Sequence, residues 1–166
     1  MTILANQTKR EYIGAGIILV KDDTYLLLKG KATGVWSFSK GHPESEDIGM
    51  PLNTAARETY EETGLIAGRD YDIIGDSIRF GKRHYWIGIM RPDARRVIVA
   101  RAEHETAAWF SWTEIQNLKA NTDVRCWIKK SQGPNGKFQR LTAVAPYVLQ
   151  MRDTHLIDED HIVSLA

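Results

Sequence analysis

The chain has 166 residues, of which 43% are hydrophobic and 26% are charged, and its formal net charge is +1. This length predicts one well-cored domain over residues 1–166, with loosely ordered tails at 1–10 and 152–166, and it excludes two large domains. The near-neutral charge excludes a global electrostatic field for nucleic acid or a membrane surface. We therefore expect no DNA partner and no membrane association, and any basic recognition must be local.

The cysteine content points to a reducing compartment. A single cysteine, Cys126, excludes an internal disulfide framework, and it has no His or Cys partner at ligand spacing, so we expect a plain thiol. The longest apolar run, residues 13–20, contains two glycines and is too short for a signal peptide or a membrane span. A cytoplasmic location is the resulting expectation, and whether a presequence was removed is left open.

The predicted elements begin with a β-hairpin. Residues 12–20 are rich in β-formers, and a polar turn separates them from a second apolar run at 25–28. Residues 35–39 alternate apolar and polar side chains and predict a short strand. A loop punctuated by glycine and proline follows, and Asn53 is the expected N-cap of a helix that ends at Thr63.

The second half predicts strands and two further helices. Strands are expected at 71–80, 84–91 and 97–101, with a short extended segment at 109–111. A helix is expected at 113–120 with Thr113 as its cap, and a last helix at 141–151, which Pro146 would kink or delay. Strands and helices mix without regular βαβ alternation, which is typical of an α+β domain.

The helix after the glycine-rich loop carries a cluster of carboxylates. Glu58, Glu61 and Glu62 have the spacing i, i+3, i+4, which brings them to one side of the helix within one turn. Like charges this close repel, and a hard divalent cation such as Mg²⁺ or Mn²⁺ would neutralise them. A solvated acidic face is the alternative, because surface helices often carry such residues.

Residues 41–65 resemble the signature of the Nudix hydrolases. The second half of that signature matches at Arg57, Glu58, Glu61, Glu62, Gly64 and Leu65. The first half departs from it, because the spacing from Gly41 to Arg57 is two residues longer than in the family and loop 42–52 is therefore lengthened. The family signature also has a glutamate between its first glycine and its arginine. Counting forward from Gly41 places this acidic position at Asp47, and counting back from Arg57 places it at Gly49; Glu44 and Glu46 are nearby alternatives. Thr59 replaces an aliphatic residue.

The resemblance implies a fold and a reaction. The expected fold is an α/β/α sandwich around a mixed sheet with a catalytic loop–helix–loop, and the expected reaction is Mg²⁺-dependent hydrolysis of a phosphoanhydride, with Mn²⁺ able to substitute. Glu61 and Glu62 are the first metal ligands it implies, Glu58 is a further ligand or orients the water, and the Gly41 carbonyl is a backbone ligand. Arg57 would hold a glutamate by a bidentate pair.

Two shorter segments are similar to the diadenosine tetraphosphate hydrolase branch of that family. Residues 103–110 match its Glu-His-x4-Trp pattern, which implies that Glu103 is a distal metal ligand or general base; Glu105 and a purely solvated loop are the alternatives. Lys40 and His42 belong to a Lys-Gly-His segment and would flank the phosphates. Without the match, His42 is better interpreted as a surface histidine.

Local basic clusters bear on the substrate. They comprise Arg79, Lys82, Arg83 and His84, then Arg95 and Arg96, then Lys129, Lys130, Lys137 and Arg140. Any one of these clusters can be an ordinary group of solvent-exposed charges. Clusters at the mouth of a metal site, however, would imply a small-molecule substrate with many phosphates. Dinucleoside polyphosphates come first, diphosphoinositol polyphosphates second and capped RNA third. A non-catalytic nucleotide-binding or protein-binding domain is the alternative of a different class.

Aromatic residues could stack a base. Trp127 and Phe138 lie among basic residues and are the better candidates, while Trp36, Tyr85 and Trp86 are better explained as core. The sequence does not distinguish a monomer from a homodimer.

Overall fold

The computed structural model describes residues 12–132, and the tails, the helix expected at 141–151 and residues 137, 138 and 140 lie outside that range. The strands are β1 (Gly14–Lys21), β2 (Thr24–Gly30), β3 (Trp36–Ser37), β4 (Ser39–Gly41), β5 (Tyr71–Phe80), β6 (Arg83–Met90) and β7 (His104–Ser111). The helices are α1 (Pro51–Thr63), α2 (Trp112–Ile115) and α3 (Thr122–Gln132). Within residues 12–132, none of these helices has the length and apolar character needed to cross a bilayer.

One mixed sheet organises the strands. Its order is β3-β2-β1-β6-β5, with β4 paired to β1 and β7 paired to β2. Strand β1 runs parallel to β6 and antiparallel to β2 and β4. The predicted strand at 35–39 is therefore two short strands, since β3 pairs with β2 and β4 pairs with β1.

Strand β1 is buried on both faces, which explains its continuous apolar run. Ile18 and Val20 belong to a core cluster that includes residues of α2 and α3. Ile17 and Leu19 alternate with them and pack in a second cluster that includes Ala55 of α1. Helices thus cover both faces of the sheet, and the predicted α+β sandwich is confirmed.

Helix α1 begins earlier than predicted. Met50 is its N-cap without a side-chain capping bond, and Pro51 opens the helix, so the prediction that Asn53 is the cap is wrong. The fixed φ of Pro51 suits the first turn of a helix, and its missing N–H would have had no partner there. The C-terminal end agrees with expectation, because Gly64 takes φ 74° and its N–H donates to Tyr60 O at 2.8 Å.

The segment expected as a strand at 97–101 is not one. It runs along the end of α1, where Ile98 N donates to Thr63 O at 2.8 Å and Ala100 N donates to Glu62 O at 3.1 Å. Carbonyl groups in the last turn of a helix lack partners within the helix, and this segment supplies them. Strand pairing resumes only at β7, which begins at His104 rather than at residue 109.

The two later helices also differ from prediction. Helix α2 is capped by Ser111 through a capping box with Glu114, so Thr113 is not the cap and the helix does not extend to residue 120. Helix α3 was not predicted. At the start of this helix, Asn121 Oδ1 accepts from Val124 N at 3.0 Å. The side chain of Trp127, which lies within the helix, is fully buried.

Candidate functional site

The carboxylates of α1 line a cavity of about 550 Å³ between the helix, strand β4 and the turn before β7. The cavity is lined by Lys40, Gly41, His42, Pro43, Glu44, Glu58, Glu61, Glu62, Ala100, Ala102, Glu103 and His104. The structure therefore brings together every metal-ligand candidate named from the sequence, and also Lys40 and His42.

Arg57 is the central cation of the loop and helix. Its Nε donates to Asp47 Oδ2 at 2.5 Å, and its Nη2 donates to His42 O at 2.8 Å. Its Nη1 lies 3.1 Å from carboxylate oxygens of both Glu58 and Glu61. The burial of Arg57 lowers the pKa of the guanidinium, but these carboxylates outweigh it and raise the pKa. The expected contact with a glutamate is present, although the shortest bond goes to Asp47.

Asp47 is buried, whereas Glu44, Glu46 and Gly49, the other three candidates for the early acidic position of the signature, are exposed. Burial raises its pKa, but hydrogen bonds from Arg57, the Glu44 amide and the Thr54 hydroxyl have the larger combined effect and lower it. Thr54 Oγ1 donates to Asp47 Oδ1 at 2.9 Å. The lengthened loop is thus tied to α1 through an ionised carboxylate.

Glu62 lies deepest in the cavity. Its side chain is 6% exposed, and burial together with repulsion from Glu58 raises its pKa to about 8, although Lys40 opposes the shift. Burial also raises the pKa of Glu58; Arg57 lowers it, and Glu61 and Glu103 raise it further. Positive charge in the cavity would favour the ionised form of both carboxyl groups.

Glu103 and Glu105 face different neighbours. Glu103 lines the cavity, and its carbonyl accepts from Lys31 N at 2.9 Å. Glu105 instead forms an ion pair with Lys29 of β2 at 3.6 Å. Of the two alternatives, Glu103 therefore has the position that the sequence resemblance implied.

The donor atoms fit a divalent cation. One ligand atom each from Glu62, Glu103 and His104 lie within 4.8 Å of one another, and oxygen atoms of Glu58 and Glu61 border the same cavity. A Cβ on Gly41 would lie 1.9 Å from Glu58 Cδ, so the absence of a side chain at Gly41 leaves room for that carboxylate. Carboxylates gathered around a glycine suit hard cations.

The basic turn at β5–β6 lies beside this cavity but does not line it. Ile13 N donates to Lys82 O at 2.9 Å, while Ile13 O accepts from His42 Nδ1 at 2.8 Å, so one residue separates the turn from the cavity wall. Arg83 forms an ion pair with Asp123 at 3.7 Å, and His84 is buried. Arg79 contributes its carbonyl to Lys130.

The other sequence candidates have structural roles. Arg95 forms an ion pair with buried Asp70 at 2.7 Å, and Lys130 stacks over the Phe80 ring. Trp127 is 0% exposed within the core, so the prediction that it forms a base platform is wrong. Its basic neighbours in sequence point away from it because a helix turns them to other faces.

A second cavity of about 560 Å³ adjoins the first and shares Lys40, Glu103 and His104 with it. Lys119, Asn121 and Arg125 line it together with Gly30, Thr33, Val35, Ser37, Ala120 and Thr122. Sequence reasoning missed these residues because it did not predict helix α3. Asn121 followed by a helical apolar pattern was the available signal.

Comparison with known proteins agrees with this geometry. The family model described as NUDIX domain matches residues 10–130. No curated protein matches the chain significantly. A C. elegans Ap4A hydrolase in a binary complex is 19% identical with a TM-score of 0.58, over 70% of this chain and 93% of that one.

Two further solved structures share the fold. The MutT Nudix hydrolase from Burkholderia pseudomallei is 17% identical with a TM-score of 0.53, over 71% of this chain and 95% of that one. A bifunctional NMN adenylyltransferase/ADP ribose pyrophosphatase from Francisella tularensis, complexed with AMP and a Mn ion, is 17% identical with a TM-score of 0.52, over 76% of this chain and 45% of that one. With the family model matching most of its length, the chain belongs to the Nudix family and is a hydrolase of pyrophosphate bonds.

Proposed function

We propose that the chain is a Mg²⁺-dependent pyrophosphohydrolase of a highly phosphorylated small molecule, with a dinucleoside polyphosphate as the first candidate and Mn²⁺ able to replace Mg²⁺. The observation that carries this proposal is the pair of adjoining cavities. The acidic one contains Glu58, Glu61 and Glu62, and the other adds Lys119 and Arg125 around the shared Lys40.

The acidic cavity suits the scissile diphosphate. Glu58, Glu61, Glu62, Glu103 and the Gly41 carbonyl are the groups that would hold divalent cations, which supply Lewis-acid and water-activating chemistry when bound. Lys40 lies among them and would pair with phosphate oxygens. Arg57 would hold two of these ligands in position before an ion binds, because its Nη1 donates to the carboxylates of Glu58 and Glu61.

The proton of the attacking water has two candidate acceptors. Glu103 is exposed at the cavity edge and its carboxylate makes no hydrogen bond or ion pair with the described residues, so this carboxylate is available. Glu58 is held by Arg57 at 3.1 Å, which favours an orienting role. We assign two parts to Glu103, in which one carboxylate oxygen would hold the cation and the other would accept the proton, and we assign Glu58 as a ligand that orients the water.

The second cavity suits the remaining phosphates. Lys119 and Arg125 are exposed and border it, and Lys40 connects it to the acidic cavity. The basic turn with Arg79, Lys82, Arg83 and His84 lines neither cavity and would contact only a substrate long enough to extend past the acidic cavity. A diphosphoinositol polyphosphate is the second candidate, because no aromatic side chain lines either cavity in the described range, and capped RNA is the third.

A substrate panel tests this function. Purified protein with Mg²⁺ is incubated with diadenosine tetraphosphate, a diphosphoinositol polyphosphate, capped RNA and ADP-ribose, and products are resolved by ion-exchange chromatography. We expect the highest kcat/KM with diadenosine tetraphosphate. Hydrolysis of none of them would refute the substrate class.

A matched variant separates catalysis from binding alone. Glu62→Gln should lower turnover by orders of magnitude without unfolding the chain, whereas Glu105→Gln, in a residue paired with Lys29 outside the cavity, should leave turnover near that of the wild type. Nucleotide binding without turnover by any of the three proteins would favour a nucleotide-binding module instead, whereas equal turnover by all three would show that Glu62 has no catalytic part.

A further inference from the structure

We propose that His104 is a direct ligand of the bound cation together with Glu62 and Glu103, so that this centre is a mixed nitrogen–oxygen site that binds Mn²⁺ more tightly than Mg²⁺, while either ion can support hydrolysis. The inference rests on the metal site of the proposed function and adds a ligand and a metal preference to it.

The geometry of the three side chains supports a shared cation. One ligand atom from each lies within 4.8 Å of the other two. Two ligand atoms on one cation are separated by about 3.0 Å when they are adjacent and by about 4.2 Å when they are opposite, for bonds of about 2.1 Å. Small side-chain rotations are therefore enough to close the site around an ion.

The state of the His104 ring is the second, independent observation. The residue is 8% exposed, and its Nδ1 is buried without a hydrogen-bond partner among residues 12–132. Buried polar atoms nearly always have partners, and an unpartnered one is costly. His104 also borders the acidic cavity, so a cation bound there would give this ring a polar partner.

The backbone holds the pair of ligands in place. His104 is the first residue of β7 and lies opposite Gly30, where a register shift interrupts the pairing of β2 with β7. Lys31 N donates to the carbonyl of Glu103 at 2.9 Å, which anchors the preceding residue. Glu105, the next residue along, forms its ion pair with Lys29 away from this cavity.

The chemistry of an imidazole ligand sets the metal preference. Mg²⁺ takes oxygen ligands and gives up its waters reluctantly. Imidazole suits Fe, Ni, Cu and Zn best, and Mn²⁺ is the weakest binder of that first-row series, so a nitrogen ligand raises the affinity for Mn²⁺ relative to Mg²⁺ by less than it would for the later ions. The charges that face the site are the carboxylates of Glu58, Glu62 and Glu103 and the ammonium group of Lys40. The two carboxylates of Glu62 and Glu103, together with a neutral His104 imidazole, would balance the charge of a divalent ion.

The test is pulsed electron paramagnetic resonance on the full chain loaded with Mn²⁺, prepared with ¹⁵N-histidine and with natural histidine. We expect a histidine nitrogen coupling in the wild type and in His42→Gln, whose ring lines the same cavity but bonds to Ile13 O. The coupling should be absent in His104→Gln. Mn²⁺ bound to the wild type without nitrogen coupling would overturn the inference.

Calorimetry gives a second measurement that does not need the spectrum. His104→Gln should weaken Mn²⁺ binding by about tenfold or more and Mg²⁺ binding by much less. An equal loss of affinity for Mn²⁺ and Mg²⁺ in His104→Gln would also refute the assignment. So would the finding that His104 hydrogen-bonds to bound phosphate and does not contact the ion. If His104→Gln does not fold, the wild-type spectrum decides the question. Nitrogen coupling combined with an inactive substrate panel would refute the proposed function and leave this ligand in place.

Discussion

Arg57 Nε donates to Asp47 Oδ2 at 2.5 Å, and this bond joins the lengthened loop to helix α1 across ten residues of sequence. The same guanidinium reaches Glu61 of the helix and the carbonyl of His42 in the loop. One cation therefore fixes both the carboxylates and the chain that faces them. Loop 42–52 is longer than in the family signature, and the buried carboxylate of Asp47 is what anchors it.

The first prediction concerns that bond. Asp47→Asn should lower the free energy of unfolding by roughly 1–3 kcal/mol, because Arg57 loses a partly buried charged partner. A double-mutant cycle with Arg57→Met, measured by urea denaturation, should give a coupling energy above about 0.5 kcal/mol. Glu46→Gln, an exposed change in the same loop, is the control and should stay within about 0.5 kcal/mol of the wild type. An Asp47→Asn protein as stable as the control would contradict the anchoring role.

The second prediction follows from the raised pKa of Glu62, about 8 in the folded chain against an ordinary value of 4.5. Between these values the folded state binds more protons than the unfolded state, so stability is present below pH 4.5 and is lost as the pH rises through 8. Without metal, the wild type should lose up to about 1.4 kcal/mol per pH unit more than Glu62→Gln across this window. Thermal unfolding in the presence of a chelator measures the difference, and parallel curves would show that Glu62 ionises normally.

The third prediction is proton release on metal binding. At pH 7 the carboxyl group of Glu62 is protonated in the metal-free protein, but a ligand must be ionised, so binding should release close to one proton. Calorimetry in buffers with different ionisation enthalpies measures this number. The release should vanish above about pH 9, where Glu62 is already charged. Binding without release at pH 7 would contradict either the raised pKa of Glu62 or its place among the ligands, and the unfolding experiment with chelator separates these two outcomes.

The reaction centre was predictable because its signals are local. The spacing of Glu58, Glu61 and Glu62 along one helix fixes their common side whatever the rest of the chain does. The C-cap at Gly64 was predictable for the same reason. Glu103 was found through a resemblance alone, since nothing in its own surroundings indicates that a turn will bring it opposite the helix.

The failures have tertiary causes. Residues 97–101 have the composition of a strand, yet their amides bond to the open carbonyls of Thr63 and Glu62, which only the folded helix presents. Asn53 is a good cap by propensity, but the helix starts at Pro51 with Met50 as its cap, three residues earlier than predicted. Helix α3 is stabilised by burial of Trp127 and by the contact of Tyr85 with Asp123, neither of which is visible in sequence.

The fourth prediction tests the second cavity. Removing both cations with Lys119→Ala and Arg125→Ala should raise KM for diadenosine tetraphosphate about tenfold or more with kcat largely kept, because the distal phosphates lose charged partners. ADP-ribose, with fewer phosphates, should be affected less. Arg96→Ala, an exposed change that removes a cation outside both cavities, is the control. Equal changes for both substrates would place the distal phosphates elsewhere.

The fifth prediction compares two glycines. A Cβ on Gly41 would lie 1.9 Å from Glu58 Cδ, whereas a Cβ on Gly16 would lie 2.1 Å from Ser39 O. A carboxylate at the end of a side chain can rotate away, but a backbone carbonyl in a paired strand cannot. Gly41→Ala should therefore keep most of its stability and lose turnover by about tenfold or more, since Glu58 is displaced from the cavity. Gly16→Ala should instead lower the melting temperature, and calorimetric unfolding beside steady-state kinetics separates the two effects. A Gly41→Ala enzyme with normal kcat would show that the position of Glu58 beside Gly41 is not needed for hydrolysis.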